Sequence, residues 1–316
     1  PLIFYYGHVA ALYVNKLRLA GLMSAPIDAH YEVLFETGVD EMSWDDLNEA
    51  HYDWPAVADV KAYRDEVRAM VDSLISELPM DSLINWDSKW WPIIMGIEHE
   101  NIHTETSSAI FRQVPLDMIT LDSDAGTHWR MCETDHLPPE NELLPVAASK
   151  VVWNKDRKNG RVYGWDNEYG HKEADVPAFK ASKYLVSNHE FKEFVDAGGY
   201  QDKQWWDEEG WTWVEYTGAQ HPKYWLQEDG VWKQRQLAAV TDLPWSWPVV
   251  VNQLESKAFC NWKSAQTGKN IRLPSEDEWK VLREMGEYGN VDQPDWLNAP
   301  GNINLEYFAS ECPVDV

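Results

Sequence analysis

The stretch SKWWPIIMGIEHENIHTETSSAIFR, residues 88–112, decides how the first part of the chain folds. Its apolar residues recur at helical steps, Asp87 or Ser88 can cap its start, and Pro115 lies just past its end. The spacing predicts a helix whose inward stripe is Trp91, Met95, His99, Ile102, His103, Thr106 and Ile110. His99 and His103 stand at i and i+4 on that stripe, their Cβ atoms about 6 Å apart, so both imidazoles can reach one ion. Buried histidines that only hydrogen-bond fit the same spacing.

Working outward, residues 3–22 (IFYYGHVAALYVNKLRLAGL) carry a second helical pattern, with Phe4, His8, Ala11, Leu12 and Leu19 on one side. His8 therefore faces a core and is the third candidate ligand, because ligands in a helical bundle come from facing helices. Three neutral imidazoles leave a divalent ion its full charge and open positions. Such a site suits Fe(II), Zn(II) or Ni(II) and favours an anionic thiolate or carboxylate substrate. Glu105 is placed to orient His103 or a bound water, and equally fits a solvated helix surface. Glu98 and Glu100 are expected to point elsewhere, and the remaining histidines, His30, His51, His128, His136, His171, His189 and His221, read as surface or structural.

Val57–Leu78 gives a third helix, closed by Pro79, while residues 31–55 are polar, aromatic and rich in turn formers. From about residue 117 short β-type runs such as Val151–Trp153 and Pro248–Val251 alternate with helical patterns at Asn188–Ala197, Glu255–Gln266 and Ser275–Met285. This second part reads as an irregular α+β domain, with the boundary between residues 117 and 150. A net charge of −26 argues against nucleic acid and anionic membrane as partners. Cysteines 132, 260 and 312 form no disulfide framework, and no apolar run spans a bilayer or opens the chain as a signal peptide, so a cytoplasmic protein is expected. Gly-rich phosphate loops and a G-x-S-x-G elbow are lacking.

Two runs then show a family resemblance. Phe35–Asp46 (FETGVDEMSWDD) and Met95–Ser108 (MGIEHENIHTETSS) resemble ovothiol-biosynthesis sulfoxide synthases, that is 5-histidylcysteine sulfoxide synthases, which are related to the ergothioneine-biosynthesis enzymes. Phe4–His8 is similar to the segment that supplies that family's first iron ligand, and His99, His103 and Glu105 match its H-x-x-x-H-x-E motif. Gly164–Glu168, Val186–Phe191, Pro248–Asn252 and Ile271–Trp279 are similar to the family's formylglycine-generating-enzyme-like domain, although Trp165, Asp166 and Asn167 read as loop-forming rather than catalytic residues.

The resemblance implies α plus α+β architecture. A DinB-like helical metal-binding domain at 1–117 would precede a formylglycine-generating-enzyme-like, C-type-lectin-like domain at 118–316. It implies Fe(2+) held by His8, His99 and His103, with cysteine, histidine and O₂ as substrates and 5-histidylcysteine sulfoxide as product. The hercynylcysteine sulfoxide synthases of ergothioneine biosynthesis and metal-dependent thiol S-transferases are the alternatives. Relative to the family both domains are expected to be truncated. One bundle helix is missing before Pro1, and a tyrosine implicated in the sulfur chemistry lies beyond Val316, so no catalytic residue is assigned.

Overall fold

The computed structural model describes residues 2–36, 52–80, 84–120, 129–157, 163–285, 302 and 306–315. The chain divides into two units, one of Pro1–Ala109 with Trp153–Lys172, the other of Ile110–Val152 with Glu173–Val316.

The first unit is helical, with α1 (Leu2–Leu19), α2 (Ala29–Leu34), α3 (Val57–Glu77) and α4 (Trp91–Phe111, whose last two residues group with the second unit). Ala10, Tyr13, Val14 and Leu17 of α1 pack with Tyr63, Val67 and Val71 of α3 and with Trp90 and Ile93. Helix α1 is buried almost all round from Gly7 to Val14, a wider face than the expected stripe, while Leu19, placed inward by the sequence, is 74% exposed. Such all-round burial is what an apolar helix with few charges adopts inside a helical assembly.

Helices α1 and α4 lie side by side in opposite directions. Leu12 clusters with Trp91 and Met95, Tyr13 meets Gly96, and the rings of His8 and Tyr5 face His99 and His103. His103 stands opposite Tyr5, in the first turn of α1. Ile102 is 44% exposed and Thr106 is exposed, contrary to the sequence reading. The start of α4 also differs: Ser88 Oγ accepts from the Trp90 amide in the turn leading into the helix, at 3.2 Å.

The start of the polar segment is helical, as α2 runs to Leu34. Asp28 caps α2 by accepting from the amides of His30 and Tyr31, and Glu32, buried, accepts from the amide of Ile27 at 2.7 Å. The acidic run Asp40–Asp46 and His51 lie outside the described residues.

The chain also returns to the helical unit far along its length. Trp86 Nε1 donates to the Gly164 carbonyl at 3.1 Å, its ring lies 5.5 Å from that of Tyr163, and Trp165 Nε1 donates to Glu98 at 2.9 Å. Residues Trp153–Lys172 group with the helical unit, and Tyr163 and Trp165 join its core.

The second unit mixes helices with small antiparallel sheets. Strand β1 (Leu143–Val146) pairs with β4 (Phe179–Ser182), β2 (Ser149–Lys155) with β3 (Gly170–Val176), and β5 (Trp225–Glu228), β6 (Val231–Arg235) and β7 (Val240–Asp242) form a three-stranded meander. Asp229 and Gly230, both at positive φ, turn β5 into β6, the conformation that Asp-Gly favours in a two-residue hairpin. Helices α5 (Asn188–Asp196), α6 (Glu208–Thr217), α7 (Gln253–Thr267) and α8 (Glu276–Glu284) complete the set. Pro248–Val251, expected as a strand, makes only a single bridge to Ser187, with the Val249 amide donating to Val186. Among the described residues no helix is long and apolar enough to cross a membrane.

The core of this unit is aromatic: Phe191, Phe194, Tyr200, Trp206, Trp225, Phe259 and Trp262 pack together. Asn188, fully buried, ties it to the meander. Its amide donates to Gln234 Oε1 at 2.9 Å and to the Pro244 carbonyl at 2.7 Å, and its oxygen accepts from Trp225 Nε1 at 3.3 Å. Replacing it by Leu strands three buried polar groups, each costing about 1–3 kcal/mol when unpaired. Asn188→Leu should therefore lower stability by at least about 3 kcal/mol in urea denaturation. A change within 0.5 kcal/mol, taken as about the noise of a surface substitution, would contradict the network.

Candidate metal centre

Gly96 sets the distance between α1 and α4. A Cβ there would come within 2.0 Å of the Tyr13 ring, so the two helices approach closely only because α4 is bare at that point. One turn along from this contact, His8 meets His99. The ring centroids of His8 and His99 are 4.9 Å apart, those of His8 and His103 4.7 Å, and those of His99 and His103 4.3 Å. One ligand-type nitrogen from each ring lies within 4.8 Å of the other two, and Nε2 of His99 and His103 are 3.0 Å apart. Among the described residues, no second group of three His, Cys, Asp or Glu side chains brings its donor atoms together this way. All three candidate ligands named from the sequence are thus brought to one point.

His8 and His99 are buried and His103 is half-buried, so the cluster is most open at His103. Phe4 stacks on the His8 ring at 4.9 Å and 26°, and Tyr5 stands at 5.7 Å from His103. His8 Nδ1 bonds the Phe35 carbonyl at 2.7 Å, whereas Nδ1 of His99 and of His103 are buried with no hydrogen-bond partner among the described residues. Glu105 is exposed, as the solvated reading of it has it, and among the described residues no hydrogen bond joins its carboxylate to either imidazole. The orienting oxygen belongs instead to a main-chain carbonyl, which no side-chain pattern announces. Its sequence signal was indirect, a glycine at position 7 beside a ligand and an aromatic at position 35 opening a motif. Glu98 is engaged by Trp165, as its expected outward direction requires. Of the other histidines, His136 pairs with Asp315 at 3.0 Å, His221 Nδ1 lies 3.0 Å from the Pro222 carbonyl, and His128 lies outside the described residues.

Electrostatics keep the cluster neutral. Burial is the main force holding His99 down to about 3, with the neighbouring His103, His8 and Lys16 adding to it. Burial likewise lowers His8, partly offset by its bond to Phe35, and lowers His103, with His8 contributing. Neutral imidazoles with lone pairs directed at one point are the form that binds a divalent cation. The three-nitrogen donor set, with Nε2 of His99 and His103 3.0 Å apart, fits a metal.

A family model described as the sulfatase-modifying factor enzyme 1-like domain matches residues 134–295, just over half of the 316 residues. The chain belongs to this family. All four motif segments between Gly164 and Trp279 fall in the matched span. Several of their residues shape the fold: Asn188 ties core to meander, Asn252 and Glu255 form a capping box, and Arg272 holds Glu278 with two bonds of 2.7 Å. Hercynine oxygenase of Mycolicibacterium smegmatis is 28% identical over 227 residues, covering 71% of this chain and 47% of that protein. Hercynine oxygenase of Mycobacterium tuberculosis is 35% identical over 116 residues, 36% of this chain and 25% of that protein. Ergothioneine biosynthesis protein 1 of Neurospora crassa is 26% identical over 208 residues, 61% of this chain and 23% of that protein. The chain thus spans less than half the length of these relatives. The relation to ergothioneine-biosynthesis enzymes that the sequence suggested is borne out.

The depressed imidazoles give the metal-free protein a defined pH response. Unfolded histidine protonates near 6.5, while folded His99 resists protonation down to about 3. The unfolded state therefore binds more protons in this window, and stability is lost as pH falls below 6.5. The expected slope is about 1.4 kcal/mol per pH unit for each such group. Denaturation midpoints of His99→Leu, measured in the presence of a chelator, should fall less steeply over the same window. Parallel curves for parent and variant would show that His99 is not held neutral.

Proposed function

We propose that this chain carries the metal centre of a non-haem Fe(II), O₂-dependent sulfoxide synthase, which joins a cysteine-type thiol to the imidazole ring of a histidine-type acceptor. The observation that carries the reading is the convergence of His8, His99 and His103 as neutral imidazoles, in a chain similar to proteins named hercynine oxygenase. On this reading α1, α3 and α4 are members of a DinB-like bundle, and the 134–295 family domain serves substrate recognition.

The net reaction balances as R–SH plus an imidazole C–H plus O₂ giving the R–S(O)–C sulfoxide plus H₂O. Fe(II), when bound, supplies the one-electron chemistry that lets triplet dioxygen react with closed-shell partners. His8, His99 and His103 hold the ion through neutral nitrogens and leave its charge uncompensated, which favours an anionic thiolate beside it. Phe4, stacked on His8, keeps water from that side of the cluster. Tyr5 borders His103 at the more exposed side and offers an aromatic wall and a hydroxyl to an entering substrate. Holding both substrates beside one ion removes the entropic barrier to a three-body encounter.

The acceptor divides two readings. The resemblance of Phe35–Asp46 to ovothiol-type enzymes favours free cysteine with unmethylated histidine, giving 5-histidylcysteine sulfoxide. The similarity to hercynine oxygenases favours the trimethylated histidine and hercynylcysteine sulfoxide.

After anaerobic loading, elemental analysis should find one iron per chain, falling at least tenfold (about 1.4 kcal/mol or more in binding) in His99→Ala and His103→Ala, with His30→Ala unaffected. Undiminished iron in both ligand variants would sink the assignment. Cysteine or γ-glutamylcysteine, paired with histidine or trimethylhistidine and O₂, should yield a C–S sulfoxide detectable by mass spectrometry. The dominant product names the acceptor, and its absence from all four pairings, together with no O₂ uptake, would refute the oxygenase reading.

A further inference from the structure

We infer that the main-chain carbonyl of Phe35 fixes the tautomer and ring plane of His8, which makes Gly7 and Phe35 positioning residues for the metal centre; the inference rests on the three-imidazole reading above. A carbonyl oxygen only accepts, so the 2.7 Å contact places the proton on His8 Nδ1 and leaves the Nε2 lone pair free to ligate. Phe4, stacked on the ring at 4.9 Å, restricts its rotation about that bond. Among the described residues the Nδ1 atoms of the other two histidines find no such anchor. His8 is therefore the ligand oriented by the protein before any ion arrives.

The position of that carbonyl depends on a single bare site. Phe35 follows α2, where its amide closes the helix by donating to the Tyr31 carbonyl at 2.9 Å. Its ring is fully buried, 5.8 Å from Tyr31, 6.3 Å from Trp54 and 6.5 Å from Phe4. It also rests against Gly7, where a Cβ would lie 2.5 Å from Phe35 Cε2 and Cζ and 2.6 Å from Cδ2. The ring thus settles onto α1 one residue before His8, and that contact sets how deep the carbonyl reaches.

Gly7→Ala should push the ring outward, and Phe35→Leu should keep the apolar filling while loosening the carbonyl. Two readouts separate positioning from packing: zinc(II) affinity by chelator competition, and the His8 tautomer in metal-free protein by long-range ¹H–¹⁵N NMR of the imidazoles. The parent should show a single Nδ1–H tautomer. Gly7→Ala should show a mixture and bind zinc about 10–100-fold more weakly, the range typical for loss of a ligand's outer partner. Phe35→Leu should shift both readouts in the same direction, by less, and it carries the test alone if Gly7→Ala does not fold. Weaker zinc binding with an unchanged tautomer, or parent-level zinc binding with a mixed tautomer, would overturn the inference. A parent that binds no zinc would remove the metal reading, while the tautomer experiment would still decide whether Phe35 orients His8.

Discussion

The Tyr13 ring pressed on the bare backbone of Gly96 is the contact on which the rest of the helical unit depends. It brings α1 and α4 closer than side chains ordinarily allow, and within two turns that closeness becomes three imidazoles around one point. The same closeness strips water from His8 and His99, so the approach that gathers the ligands also keeps them unprotonated. Tyr13 itself is pushed well above its ordinary range, first by burial and then by the charge of Glu100. A hydroxyl that stays protonated leaves no buried negative charge beside the cluster.

Much of this arrangement was legible in the sequence because it is periodic. The helices come from the 3.6-residue recurrence of apolar positions, and the ligand set comes from where His8, His99 and His103 fall on it. What was missed is what period cannot encode. Ile102, placed inward by the period, is exposed, since the period does not say how wide a face the neighbouring helices cover. The partner of His8 is a backbone oxygen, so reading side chains led to Glu105 instead of Phe35. In the second unit α6 and the β5–β7 meander escaped notice because tryptophan and charge are scattered through them without a clear period. Asp207 and Gly218, which bound α6, and the Asp229–Gly230 turn were nevertheless present as local signals.

The second unit solves a different problem. It holds many large aromatic rings in a core framed by short strands, and rings alone define orientation poorly. Asn188 supplies direction, since amide bonds to Gln234, Pro244 and Trp225 are satisfied in one arrangement only. A buried polar hub of this kind suits a domain whose sheets are small, because loops then need fixed points that ladder hydrogen bonds do not provide.

The return of Trp153–Lys172 to the helical unit bears on how the chain is made. Synthesis delivers α1 to α4 first, yet Trp86 and Glu98 wait for Gly164 and Trp165, which leave the ribosome more than sixty residues later. The nascent helices therefore hold a complete histidine set while part of their core is still open to solvent. The closing step belongs to Tyr163, Gly164 and Trp165, between β2 and β3, and cutting the gene between the two units at a single point would leave that step undone.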